Sequence, residues 1–238
     1  MPLTSRRTRP RQRPAGFRQP RLVELVGPAG AGKSTLARAL PARDWDMAGL
    51  TLWGLPRRFL LAAALALIPT AARAALRGRP LRWGELVQMA RLGALRREVR
   101  RTVARGDRLI LLDEGPVFGL GWLEVFFPRN GDTAREAWRH RTVRTWAACL
   151  DLVVQVDAPD SVLADRIRTR AKPHMVKHRP DDEVFGFTAR FRRALDHAVA
   201  DLKHAGRVRV LGLRTDGASA GDHATRLRCA LDDALSAW

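Results

Sequence analysis

The sequence lacks tyrosine entirely and has only two cysteines among its 238 residues. Cys149 and Cys229 lie far apart, so neither a disulfide framework nor the paired spacing of a zinc site is indicated. We therefore expect a protein of a reducing compartment, the cytoplasm. Tyrosine is excluded as a wall of any binding pocket.

Acidic residues are scarce: 24 Asp and Glu stand against 43 Lys and Arg, and the formal net charge is +19. Such a charge attracts nucleic acid or anionic lipid at low salt. No known nucleic-acid-binding module is present, so we expect no specific nucleic-acid partner. Residues 1–20 are rich in Arg and Pro and lack acidic residues, which predicts a disordered basic tail.

The chain also lacks an uninterrupted apolar run of the roughly 20 residues that span a bilayer. Its longest run, residues 59–68, ends at Pro69, which we expect to break the helix. Arginines flank the run, and we expect no transmembrane segment. Two interpretations stay open: buried helices that form a lid over a sheet, or an amphipathic element that contacts a membrane surface.

One phosphate-binding motif is present, between an apolar strand-like run and a helix-forming run. Its glycines permit positive φ and a close approach to phosphate, and its N–H groups lie at a helix N-terminus. We expect Lys33 to contact the β- and γ-phosphates of ATP and Ser34 to bind Mg²⁺. The candidate nucleotide-binding residues are Gly27, Pro28, Ala29, Gly30, Ala31, Gly32, Lys33, Ser34 and Thr35.

Two carboxylates, Asp113 and Glu114, follow the apolar run of residues 109–112. Asp113 is the candidate metal ligand, and Glu114 is the candidate that orients or deprotonates an acceptor hydroxyl. The sequence does not decide which carboxylate has which role. One of the two could also serve only as a helix cap or an ion-pair partner.

A basic segment, residues 165–180, predicts a lid over the phosphates. Arg166 and Arg170 are four residues apart and share a helix face, from which guanidinium groups would stabilise a transferring phosphoryl group. A solvated basic surface is the alternative. Further candidates for an acceptor site, for which surface exposure or core packing is the simpler explanation, are Arg141, Arg144, Phe118, Trp122, Phe126 and Phe127.

Strand-like runs alternate with helical patterns from residue 21 onward, which predicts a mostly parallel sheet with helices on both faces. The first run, residues 21–26, is apolar and reads as buried except at Glu24. We expect one α/β domain over residues 21–238, with residues 48–105 as a helical insertion on the acceptor side. The ligand should lie at the carboxyl ends of the strands.

On these residues the chain resembles the P-loop kinases, specifically the nucleoside and nucleotide kinase branch that includes thymidylate kinase. Residues 27–35 have that branch's loop form, G-x-x-G-x-G-K-[ST]-T. Residues 154–159 followed by Arg166 and Arg170 look like its strand and lid helix, and residues 210–217 look like its last strand and adenine-side loop. The resemblance implies a three-layer P-loop NTPase sandwich that uses Mg-ATP, and it leaves homodimerisation open.

The chain departs from this branch at the acceptor side. Thymidylate kinase has Asp-Arg after the middle strand, whereas this chain has Asp113-Glu114-Gly115, and the region 48–105 is longer and more apolar than usual. Thymidine monophosphate is therefore not supported as the acceptor. The expected function is phosphoryl transfer from Mg-ATP to a small molecule; the alternative is a P-loop ATPase that acts as a regulator or assembly factor at a membrane or polyanion.

Overall fold

The computed structural model describes residues 21–40, 47–106, 109–128, 133–217 and 219–236, so the predicted basic tail, residues 1–20, lies outside the described residues. The strands are β1 (Arg21–Val26), β2 (Met47–Leu50), β3 (Leu109–Asp113), β4 (Leu152–Asp157) and β5 (Arg209–Arg214). The helices are α1 (Lys33–Ala39), α2 (Arg57–Leu76), α3 (Trp83–Arg105), α4 (Pro116–Phe126), α5 (Thr133–Ala147), α6 (Asp160–Thr169), α7 (Asp181–Ala205) and α8 (Ala220–Ser236).

The five strands form one sheet in the order β2-β3-β1-β4-β5, and every neighbouring pair is parallel. The central strands are continuous apolar runs because helices cover both of their faces. Ile110 and Leu112 pack into a core with α3, α4 and α7, while Leu111 packs into a second core with α1 and α8. The predicted three-layer α/β sandwich with a parallel sheet is confirmed.

Strand β1 lies between β3 and β4, and Leu25 pairs with Asp113 in the register of β1 and β3. Because the strands are parallel, the loop after β1 and the residues after β3 emerge side by side at one edge of the sheet. The fold therefore brings the phosphate-binding motif and the two carboxylates together.

Two expectations for the region 48–105 were wrong in detail. Met47–Leu50 is the edge strand β2, not a helix; its four residues carry too short a pattern to be recognised without β3 as a partner. Helix α2 continues through Pro69. Proline removes one N–H group, and burial of Ala63, Leu67 and Ala74 against the neighbouring helices outweighs that loss.

Continuous across Pro69, α2 is 20 residues long and, by length and composition alone, apolar enough to cross a membrane. Only 22% of its most apolar window is buried. The sequence expectation that no segment reaches this length is therefore corrected: the described part of the chain has one such helix.

Glu24 is buried, with no exposed surface, although the sequence pattern suggested the opposite. Its carboxylate accepts hydrogen bonds from the backbone N–H groups of Gly115, Val117 and Phe118, at 3.0, 2.9 and 3.0 Å. These are donors that the first turn of α4 leaves unpaired. Burial raises the pKa of Glu24 to about 8, against the opposing effect of the three N–H donors. This residue fixes the start of α4 to β1.

We expect Glu24→Gln to lower the free energy of unfolding by about 1–3 kcal/mol, because an amide offers one acceptor oxygen where the carboxyl offers two, and a buried donor loses its partner. Urea unfolding measures the change. Gln155→Ala, which removes the exposed bond to Asp196, is the control and should cost far less. Equal losses in the two variants would contradict a special role for Glu24.

Candidate functional site

The loop between β1 and α1 has the backbone that a bound phosphate requires. Gly30 and Gly32 have φ of 83° and 90°, which other residues rarely adopt. Gly27 lies so close to β4 that a Cβ there would stand 1.9 Å from the carbonyl oxygen of Val156. The loop ends at the N-terminus of α1, where N–H groups and the helix dipole favour an anion.

Lys33 folds back over this loop. Its Nζ donates hydrogen bonds to the carbonyl oxygens of Gly27 and Pro28, at 2.9 and 3.0 Å. Burial lowers the pKa of Lys33, while the negative charges of Glu114 and Asp113 oppose that shift. The ammonium group therefore lies where it can contact both a loop-bound phosphate and the carboxylates.

Ser34 and Asp113 are the residues that could hold Mg²⁺. The Ser34 hydroxyl donates to Asp113 Oδ2 at 3.0 Å, and Asp113 Oδ1 is buried with no hydrogen-bond partner in the described part of the chain. An unpaired buried carboxylate oxygen beside a hydroxyl fits a hard, oxygen-preferring cation. No group of three His, Cys, Asp or Glu residues suited to a metal was found among the described residues. Phosphate and water oxygens would therefore complete the shell.

Glu114 has φ of 65°, the one positive φ of a non-glycine residue in the described chain. Strained backbone of this kind is common where a side chain must be aimed at a ligand. The indole N–H of Trp53 donates to its carboxylate, and burial raises the pKa of Glu114. The guanidinium of Arg91 lies over the Trp53 ring, 4.3 Å from its centroid.

Arg166 and Arg170 differ in their surroundings, although both face the same cavity. The Arg166 guanidinium donates to the carbonyl oxygen of Gly30 at 3.3 Å and to Thr215 Oγ1 and O at 2.9 and 2.8 Å. The Thr215 hydroxyl in turn donates to the Ala31 carbonyl oxygen at 3.0 Å. Arg166 thus joins the phosphate-binding loop to the loop after β5. The Arg170 side chain makes no hydrogen bond within the described residues, so its guanidinium can bind a ligand.

A cavity of about 980 Å³ connects these groups. One wall is aromatic: Phe118, Trp122 and Phe126 come from α4, as the sequence allowed, and Phe187 and Phe191 come from α7. The two α7 residues were not predicted, although their spacing of four residues on one helix face was a signal. Phe127 packs on Trp122 but does not line the cavity.

The segment after α6 also lines the cavity, with Lys172, His174 and Met175. Burial lowers the pKa of His174, and the charges of Arg170 and Lys33 lower it further. The His174 ring lies edge-on to Phe187 of the aromatic wall, with 5.5 Å between the ring centroids. Arg141 and Arg144, by contrast, are exposed on α5 and do not line this cavity.

His223 on α8 also lines the cavity, and the sequence gave no signal for it. Its side chain is buried, and neither ring nitrogen has a hydrogen-bond partner within the described residues. A buried imidazole without partners is costly unless a ligand pairs with it. Trp53 was missed for the same reason, because each residue reaches the site only through tertiary packing.

The fold is that of the P-loop kinases, and the resemblance drawn from the sequence is confirmed at this level. Thymidylate kinase from Candida albicans aligns with a TM-score of 0.55 and 12% identity, over 90% of this chain and 92% of its own. Deoxyadenosine kinase from M. mycoides with bound dCTP aligns with a TM-score of 0.53 and 10% identity, over 89% and 99%.

Shikimate kinase from Bacteroides thetaiotaomicron aligns with a TM-score of 0.51 and 16% identity, over 89% of this chain and 98% of its own. No family model matches the chain. No curated protein matches it either. At these identities the neighbours establish the fold alone.

We expect Gly30→Ala to weaken nucleotide binding by roughly tenfold or more, because the new Cβ would lie 2.8 Å from the Leu163 carbonyl oxygen at a strained φ. Titration with a fluorescent ATP analogue measures the affinity. Gly78→Ala is the matched control: its φ of +71° is equally unfavourable, but no atom lies within 4 Å. Unchanged affinity in Gly30→Ala would exclude this loop as the phosphate site.

Proposed function

We propose that the chain is an ATP-dependent phosphotransferase that transfers the γ-phosphoryl group of Mg-ATP to a small-molecule hydroxyl. The observation that carries this proposal is the meeting of a phosphate-binding loop and two carboxylates in one cavity, at the ends of adjacent parallel strands. A hydrolase needs room only for water beside the γ-phosphate. The part of this cavity that is lined by aromatic rings has room for an acceptor.

Each residue has its own role in the proposed reaction. The loop N–H groups and Lys33 hold the phosphates, and Arg170 neutralises the negative charge of the phosphoryl group that is transferred. Ser34 and Asp113 would hold Mg²⁺, which supplies charge neutralisation at the phosphate oxygens when bound. Glu114 accepts the proton of the acceptor hydroxyl or orients it, and Trp53 fixes its carboxylate. Arg166 keeps the loop in position from the side of β5.

The nature of the cavity supports a small acceptor with an apolar or flat part. Five aromatic side chains offer stacking and apolar contact, and the hydroxyl to be phosphorylated would lie against Glu114. Cys149 and Cys229 are free thiols, which supports a cytoplasmic, reducing setting.

A second candidate is an ATPase that acts as a regulator at a membrane surface or polyanion. The net charge of +19 and the exposed apolar surface of α2 favour it. It predicts ATP turnover that needs no acceptor and rises with DNA or anionic vesicles, whereas a kinase requires an acceptor.

Release of ADP from Mg-ATP separates the two candidates when measured across nucleosides, nucleoside monophosphates, sugars, amino alcohols and apolar alcohols. We expect turnover with one acceptor class, and a loss of roughly a hundredfold or more in Lys33→Ala, because the phosphate charge loses its cation. Lys203→Ala, at an exposed position of α7, is the control. Acceptor-independent turnover would support the ATPase, and undiminished turnover in Lys33→Ala would remove this site from the reaction.

The raised pKa of Glu114 predicts the pH dependence of the acceptor-dependent rate. The rate should fall as pH drops through a pKa above the usual carboxyl range, because the protonated group cannot accept the hydroxyl proton. The Trp53 hydrogen bond lowers the pKa of Glu114, so Trp53→Phe should move the acid limb to higher pH. Trp83→Phe, at an exposed position on α3, should leave it in place. A limb that persists in Glu114→Gln would assign it to another group.

A further inference from the structure

Helix α2 exposes a continuous apolar face. Leu61, Leu65, Ile68 and Leu76 are 63%, 57%, 59% and 88% exposed, and with Ala72 they recur at the spacing of one helix face. The opposite side of the helix, with Ala63, Leu67 and Ala74, is buried against the neighbouring helices. We call the exposed side the apolar face of α2. A helix that is apolar on both sides lacks the polar side that a water-exposed helix normally has.

Arginines frame this face at both ends. Six exposed arginines stand around it, namely Arg57, Arg58, Arg73, Arg77, Arg79 and Arg82. Between residues 47 and 84 there is no aspartate or glutamate. Trp83, which begins α3, is also exposed. An apolar stripe with arginines at its two ends matches the layers of a lipid surface, where acyl chains lie beneath anionic headgroups.

A second copy of the chain fits this face poorly. A two-fold contact places the same patch against itself, so the arginines of one copy would lie near those of the other, and the segment of residues 47–84 supplies no acidic residue between them. The chain's own residues 1–20 carry further arginines and no acids, so they do not complement it either. Charge complementarity therefore favours an anionic partner that also offers apolar contact.

We propose that the apolar face of α2 docks the protein onto an anionic lipid bilayer, with the helix lying in the headgroup region. The helix stays on α3 in this arrangement, because its buried side belongs to the core. The arginines at its two ends contact lipid phosphates. Docking is a property separate from phosphoryl transfer and does not depend on it.

The docking face is close to the candidate site along the chain. Trp53, which donates to the Glu114 carboxylate, stands four residues before the start of α2. Four residues span at most about 14 Å. The first residue of α2 therefore lies within about 14 Å of the residue that holds the Glu114 carboxylate.

Flotation of the full chain with vesicles, without nucleotide, tests the proposal. We expect binding to vesicles of phosphatidylcholine and phosphatidylserine and little binding to phosphatidylcholine alone. In Leu61→Gln/Leu65→Gln/Ile68→Gln, which keeps every charge, affinity should fall by about tenfold or more. Ala200→Gln/Ala205→Gln, at exposed positions of α7, is the control and should bind like the wild type.

Circular dichroism and thermal unfolding establish that the triple variant is folded. The single variant Leu65→Glu is a second test and should also bind vesicles more weakly, because it places a negative charge on the apolar face of α2. Binding that the glutamine variant retains, and that salt alone removes, would mean adsorption through net charge and would overturn the proposal. A concentration-dependent dimer that the variant abolishes, without vesicle binding, would assign the face to a second copy. Because no nucleotide is present, neither result depends on whether the chain is a kinase.

Discussion

The site depends on the hydrogen bonds between the buried carboxylate of Glu24 and the start of α4. This carboxylate stands on β1, the strand that leads directly into the phosphate-binding loop, and it accepts the N–H groups that begin α4. Asp113 ends β3, and Glu114 lies between β3 and that helix start. One buried side chain thus sets the position of the carboxylates relative to the loop. Gly115 permits this contact, since a Cβ there would stand 2.8 Å from Glu24 Cδ.

How much the sequence predicts depends on how local each signal is. The loop of residues 27–35, the strand before Asp113 and the long helices α3 and α7 follow from residues adjacent in the chain, and their alternation defines the sheet. The partners of Glu24, Glu114 and Arg166 lie 49 to 136 residues away in sequence. Such contacts leave no periodic pattern in the sequence, because they form only when the elements pack together. Pro69 shows the converse, a strong local signal that tertiary packing overrides.

Arginine side chains occur on two surfaces of the protein that differ in their surroundings, the cavity and the exposed side of α2. In the cavity, the Arg166 guanidinium donates to backbone carbonyl oxygens and to the Thr215 hydroxyl, while the Arg170 guanidinium makes no hydrogen bond within the described residues. Around α2, arginines stand beside apolar side chains. A guanidinium group is more weakly hydrated than an ammonium group, so it loses less on leaving water, whether in a cavity or beside apolar side chains. The chain has only four lysines, so arginine supplies nearly all of its positive charge.

The bonds of Lys33 to Gly27 and Pro28 tie its ammonium group to the backbone of the loop that precedes α1. The ammonium compensates the carbonyl dipoles and so helps to hold the curvature of the loop. Entry of a ligand is then an exchange rather than a simple addition. A ligand that contacts Lys33 would have to draw the ammonium group from these two carbonyl oxygens, which favours a group of high negative charge over a neutral molecule of the same shape.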